Sequence, residues 1–262
     1  MTAQAQRSIA VRATASALPP VLEVASDIGR LIDASGLPQV FVGLEPLPGA
    51  PVDTPDAAEA RRIAAAAIAS TVEVESSACG YQLTGTGFAV DPGYVVTNAH
   101  VVAGADHTVV RLGGAAVEAT VVLFDPALDI ALLHAPGLRA APLRLATTSP
   151  PRGTVGAALG HPGGAPLTVI PAAVTARYQA EGRDLYGERT VVRDIVELRA
   201  SVERGDSGGP FVLPDGTVGG IVFAEARSDP NVGYALDPTA VAANIAGSLG
   251  RTKAASTGAC TR

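Results

Sequence analysis

The sequence has no tryptophan, one lysine (Lys253), one methionine (Met1) and two cysteines, and only 17% of its 262 residues are charged. With aromatics at 4%, a core has to be filled by Val, Ala, Leu and Ile, whose β-branched members suit pleated sheets. A single lysine leaves no basic cluster, and together with a net charge of −6 this argues against a nucleic-acid partner. Apolar runs such as Ala64–Ala69 fall far short of the ~18–20 residues that cross a bilayer. The first twenty residues carry Arg7 and Arg12 but no continuous apolar stretch, unlike a secretory leader.

Cys79 and Cys260 stand 181 positions apart, which excludes a CxxC redox pair, and two cysteines are too few for a structural zinc site. No metal or cofactor is expected. Two readings remain, a disulfide and two unrelated free thiols. The Gly/Ser/Thr-rich surroundings of both cysteines, where free thiols would be exposed to reaction, favour the disulfide and with it an oxidising compartment.

What is present is 47% hydrophobic residues, 29 glycines and 20 prolines: short apolar runs separated by turns. This composition points to an all-β barrel or sandwich. Residues 1–70 read as a linker and N-terminal helical extension. Within it lie a helix over 21–34 (Leu22, Ala25, Ile28, Leu31, Ile32), an irregular Pro/Gly-rich stretch from Pro38 to Pro55 open to proteolysis, and a second helix from Thr54 as N-cap to about Ala69. Residues 71–262 read as one β domain in two halves, about 71–145 and 150–250. Strands are expected at 71–75, 87–90, 94–97, 108–112, 116–124 and 130–134, then at 154–159, 168–177, 195–199, 210–213 and 218–223. Turns such as Asp91-Pro92-Gly93 and Gly113-Gly114 separate them. Two six-stranded sets would make two barrels, followed by a closing helix over 238–249 with Val241, Ile245 and Leu249 on one face.

Three short motifs carry chemistry, in the order His, Asp, Ser. Thr97-Asn98-Ala99-His100 puts a histidine just after a strand, and an imidazole titrates near the pH at which a general base must work. Asp125-Pro126-Ala127-Leu128-Asp129-Ile130 puts Asp129 directly before an apolar strand. There it would be buried, and a buried carboxylate needs a partner such as an imidazole N–H. Asp125 precedes a proline and reads as a solvent-exposed turn acid. Gly205-Asp206-Ser207-Gly208-Gly209-Pro210 supplies a serine hydroxyl, with the backbone N–H groups of Gly205 and Ser207 as donors to a developing oxyanion. Any one of these has an ordinary explanation, a hydrogen-bonded histidine or a glycine-rich turn; their conjunction does not.

These motifs resemble the trypsin-like serine peptidases. Thr-Asn-Ala-His-Val-Val and Asp-Ile-Ala-Leu-Leu lie closer to the bacterial HtrA type than to animal digestive enzymes. Leu159-Gly160-His161-Pro162-Gly163-Gly164, Asp184-Leu185-Tyr186-Gly187 and Gly258-Ala259-Cys260 are similar to the periplasmic acid-resistance proteases of actinobacteria. The resemblance spans residues 60–262. It implies a chymotrypsin-like fold of two six-stranded antiparallel β-barrels, a Cys79–Cys260 disulfide supporting activity, and catalysis by His100, Asp129 and Ser207. It also implies an extracytoplasmic location, with attachment to a membrane only through a segment outside this chain, and peptide or protein substrates of the cell envelope. No PDZ domain is expected. Asp206 stands where HtrA enzymes carry Asn. Ser201, six residues before Ser207, would lie at the base of the primary pocket with Val222, Phe223 and Ala224 beside it, favouring apolar side chains. His161 reads as an exposed turn histidine, or as an acid sensor; His107 and His134 read as structural. The alternative to an enzyme is a catalytically silent peptide-binding module of a membrane complex.

Overall fold

In the stretch Thr71-Val72-Glu73-Val74-Glu75-Ser76, the valines and serine are buried and the glutamates half-exposed. That period of two turns one face of a strand inward. In the computed structural model, which describes Val40, Phe41, Glu45 and residues 48–261, this strand is β1 (Thr71–Ala78). It pairs with β2 (Tyr81–Asp91) and, closing the sheet, with β4 (Ala105–Leu112). With β3 (Tyr94–Thr97), β5 (Ala115–Asp125) and β6 (Ile130–His134) it forms a closed antiparallel barrel of order β1-β2-β3-β6-β5-β4. The Gly113-Gly114 turn between β4 and β5 has positive φ at both residues, the geometry that follows strand twist in a two-residue hairpin.

The second barrel has the order β10-β11-β12-β9-β8-β7, from β7 (Val155–Gly160), β8 (Thr168–Arg183), β9 (Thr190–Arg199), β10 (Pro210–Val212), β11 (Val218–Glu225) and β12 (Val232–Leu236). The expected all-β architecture of two six-stranded barrels is therefore the observed one. Strand β12 is additional to the expected strands, and the β8–β9 hairpin is longer at its tip. Val174, Val196, Leu198, Val222 and Phe211 fill the inside of this barrel, and Ile195, Phe223, Tyr234 and Leu236 belong to a second cluster beyond it.

Helix α1 runs Ala57–Ile68, two residues later than expected. Its cap is Asp56 rather than Thr54, because the Asp56 carboxylate accepts the Glu59 N–H at 2.8 Å. The helix buries Ala60, Ala64 and Ala67 and packs on β7, β8 and β10, its small side chains permitting close approach. Helix α2 spans Pro238–Ala246, capped by Asp237, and buries Val241 and Ile245; Leu249 lies past its end and is exposed. The expected helix over 21–34 lies outside the described residues.

The chain before α1 is not free of the body. Phe41 sets its ring edge-on against Tyr234 and Tyr178, Glu45 accepts from the Tyr234 hydroxyl and the Ser228 N–H, and Gly49 N–H donates to Glu197 Oε1 at 2.8 Å. Glu197 is fully buried, and Thr175 and Tyr178 hydroxyls complete its hydrogen bonds. Burial beside this carboxylate pushes the Tyr178 phenol up to about 12. The described part of the Pro38–Pro55 stretch is thus partly anchored, not uniformly accessible.

Candidate active site

His100 sits in a single 3-10 turn (Ala99–Val101) directly after β3, and Asp129 in the loop between β5 and β6. Strand β3 pairs with β6, Thr97 opposite Ala131, so the ends of the two strands bring the residues together. Asp129 Oδ2 lies 2.8 Å from His100 Nδ1, and Oδ1 accepts the His100 backbone N–H at 2.9 Å. The carboxylate is wholly enclosed, and Asn98 Nδ2 holds the Asp129 carbonyl at 2.8 Å. Asp129 adopts φ +59, a left-handed conformation unusual for a residue other than glycine. Asp125 is half-buried rather than exposed. Its Oδ1 accepts the N–H groups of Ala127 and Leu128, and its Oδ2 accepts from Asn244 of α2, so it shapes the loop that carries Asp129.

Ser207 comes from the second barrel, between β9 and β10. Its carbonyl accepts the Thr86 N–H of β2 at 2.8 Å, while Gly208 N–H donates to Val222 O and Val222 N–H to Gly209 O, locking the turn to β11. Gly208 (φ +87) has no room for a side chain, since a Cβ would strike Thr86 O, Thr97 Oγ1 and the Asn98 backbone. The serine turn is thereby pressed against the segment that carries His100. Gly205 (φ +100) is equally constrained, as a Cβ would strike the His161 carbonyl. Thr86 links the pieces: its hydroxyl donates to Gly205 O at 2.6 Å and accepts the His161 N–H at 2.9 Å. Sequence reasoning passed over Thr86 and Asn98, although Asn98 lies inside the histidine motif.

Of the residues expected at the primary pocket, Ser201 is exposed with its hydroxyl 3.3 Å from Asn231 Oδ1, Ala224 is nearly covered, and Val222 and Phe223 belong to core clusters. A cavity of about 620 Å³ on the second barrel, lined by residues such as Arg152, Arg177, Tyr178 and Asp194, contains none of His100, Asp129 and Ser207. His161 is half-buried, not fully exposed, with Nδ1 3.0 Å from Ala165 O. His107 faces Glu118 at the surface and the His134 ring lies tilted against Tyr94. Among the described residues no group of His, Cys, Asp and Glu is placed to hold a metal ion.

Asp206 differs from the other acids near the site. Its Oδ2 accepts the Glu203 N–H at 2.8 Å, but Oδ1 is buried against Gly160 with no hydrogen-bond partner among the described residues. Burial pushes the carboxyl up to about 6, the Glu203 N–H opposing and the Glu203 charge adding. A folded value above the unfolded one means that the stabilising contribution of the protonated form is complete below about pH 4 and is lost as pH rises through about 6. Ionised Asp206 then costs up to about 3 kcal/mol at neutral pH. Asp206→Asn is therefore expected to raise the melting temperature at pH near 7.5 and to leave it nearly unchanged near pH 4. Equal shifts at both pH values would show that the carboxylate is solvated after all.

A sequence model of the trypsin-like peptidase domain matches residues 85–221. The chain belongs to the trypsin-like peptidase family of serine proteases. Serine protease Rv3671c of Mycobacterium tuberculosis is 40% identical over 237 residues, covering 89% of this chain and 59% of the relative, so the chain spans less than two thirds of that protein. The "probable periplasmic serine endoprotease DegP-like" of Pseudomonas fulva is 32% identical over 174 residues, 64% of this chain and 35% of that one. Among solved structures, the active form of the M. tuberculosis Rv3671c protease superposes with TM-score 0.79 at 40% identity, covering 85% of this chain and 100% of the other. An inactive form of the same protease gives 0.69 at 40% identity, with 76% and 100% coverage.

Proposed function

We propose that this trypsin-like chain hydrolyses peptide bonds as an extracytoplasmic endopeptidase, with Ser207 as nucleophile, His100 as general base and acid, and Asp129 as the carboxylate that orients His100. The observation that carries this reading is the pair of bonds from one buried carboxylate to His100, one to Nδ1 and one to its backbone N–H, beside a serine turn pressed on the same segment. An Asp129 oxygen that accepts from Nδ1 keeps the proton there, leaving Nε2 free to take the Ser207 Oγ proton. Oγ then bonds to the scissile carbonyl carbon, and the carbonyl oxygen takes the electron pair. The N–H groups of Gly205 and Ser207, which have no acceptor among the described residues, are its donors. Collapse breaks the C–N bond, the leaving amine takes the proton from His100, and water repeats the sequence on the acyl-enzyme.

The resemblance adds the finer reading: a protease part tethered to the membrane through another segment, acting on envelope proteins in acid stress, and cleaving its own chain between Pro38 and Pro55. The cleft favours apolar residues before the cleaved bond, because Ser201 brings no charge. Incubation with a random peptide library, read by mass spectrometry, is expected to show cuts after apolar residues that vanish in Ser207→Ala. Dominant cutting after Lys or Arg would overturn the pocket, and cuts that persist in Ser207→Ala would overturn the nucleophile.

A further inference from the structure

Arg193 is a charged residue where a strand should be apolar. It lies on β9 two residues before the buried Ile195, hence on the same face, and is 2% exposed. Its side chain leaves the second barrel and reaches the loop of the first that carries Asp129: Nε donates to the Ala127 carbonyl at 2.7 Å, a contact spanning 66 positions. Both terminal nitrogens are buried with no hydrogen-bond partner among the described residues. The acids whose charges act on the guanidinium are Asp129, then Asp184 and Asp125. Asp184 is itself buried, its Oδ1 accepting the Glu188 N–H and its Oδ2 Arg189 Nε, while Asp125 is tied to Asn244.

A guanidinium is buried only at high cost unless anions face it, and leaving two of its nitrogens unpaired adds to that cost. An apolar residue would fill this strand position without either penalty, so the arginine is explained by what it holds. What it holds is a strained turn. The left-handed Asp129 backbone persists only where its surroundings over-determine it. Asp125 Oδ1 fixes the N–H groups of Ala127 and Leu128, Asn98 fixes the Asp129 carbonyl, and among the described residues only Arg193 reaches Ala127 O from the other barrel. The tip of the β8–β9 hairpin adds a second cross-link, Leu185 N–H to Pro126 O at 3.1 Å.

We infer that Arg193 is a positioning residue for the candidate triad: its Nε–H pins Ala127, and with it the turn at Asp129, and its buried charge acts on the Asp129 carboxylate without a direct ion pair. This rests on the triad reading above. It has a signature that a purely structural arginine would lack. Removing a positive charge that acts on the Asp129 carboxylate favours protonated His100, so the acid limb of reactivity has to move to higher pH.

The test is the rate at which a fluorophosphonate labels Ser207 between about pH 5 and pH 8, with a parallel NMR titration of the His100 Cε1 proton. The whole chain is used as wild type, Arg193→Gln, Arg193→Lys and Ser207→Ala. In Arg193→Gln, labelling at neutral pH is expected to slow about ten-fold or more, with limb and His100 titration both displaced upward by about half a pH unit. Arg193→Lys, which keeps the charge without the planar fork, is expected to titrate as wild type but label several-fold more slowly. An Arg193→Gln variant that melts as wild type and shows an undisplaced His100 titration overturns the assignment. If Arg193→Gln does not fold, Arg193→Lys decides, since a wild-type labelling rate at every pH overturns it. Absence of a Ser207 adduct in the wild type would instead sink the triad reading, while the NMR titration still reports on Arg193.

Discussion

Asp129→Asn is expected to slow both fluorophosphonate labelling and peptide cleavage about 10⁴-fold without loss of fold. The direction follows from the two bonds made by this carboxylate. The His100 backbone N–H needs an acceptor, so the asparagine keeps its carbonyl oxygen on that side and turns its NH₂ toward His100 Nδ1. Nδ1 must then accept, the imidazole proton moves to Nε2, and Nε2 can no longer take the proton of Ser207. Ser207→Ala removes the oxygen that would bond to phosphorus as fluoride leaves, and its intact mass is expected to show no adduct. An Asp129→Asn variant that labels at the wild-type rate would show that Asp129 has no part in setting the tautomer.

The largest expected loss of stability is that of the paired Cys79→Ser, Cys260→Ser variant. The two cysteines are joined with a Cα–Cα separation of 6.3 Å, and in the chain-entropy picture a bridge closing 181 positions stabilises by up to about 5 kcal/mol. The bridge also sits close to the candidate site. Gly104, four residues after His100, has no side chain because Cys79 Sγ and Cys260 Cα would each lie within about 3.3 Å of its Cβ, and its N–H donates to Thr257 O at 2.9 Å. The same Thr257 carbonyl faces the Tyr186 hydroxyl at the tip of the β8–β9 hairpin, and Ala255 N–H bonds to Val121 O. Urea unfolding is expected to show a loss of several kcal/mol in the double variant, with slower Ser207 labelling where folding is retained. A loss below about 1 kcal/mol would mean that the tail is held by these hydrogen bonds alone.

Much of this protein is legible locally. Strands β3 and β6 stand where the apolar runs Tyr94–Thr97 and Ile130–His134 place them, because each is a short run bounded by clear turn residues. Strand β12 is not legible in this way. Val232-Gly233-Tyr234-Ala235-Leu236 is buried at every position, so no alternation marks it as a strand. The outer part of the β8–β9 hairpin escapes for the opposite reason, since residues such as Gln179, Glu181 and Arg183 look like loop and are held extended by register with β9. The cap of α1 moved from Thr54 to Asp56 because both types can cap, and only the packing of Ala60, Ala64 and Ala67 chooses the register.

The candidate site divides along the same line. His100, Asp129 and Ser207 each sit in a short motif whose chemistry is local: an imidazole after a strand, an acid before an apolar run, a serine among glycines. These features, with the turn residues and the scarcity of aromatics, are set by the sequence alone because they act over a few residues. Which groups steady the site was decided by tertiary structure. Thr86 meets Gly205 across 119 positions, Arg193 meets Ala127 across 66, and Asp206 packs one oxygen against Gly160 with no hydrogen-bond partner among the described residues. The first two contacts depend on how two closed barrels are seated against each other. Closure makes neighbours of strands far apart in the chain, and no local pattern encodes which side chains then meet.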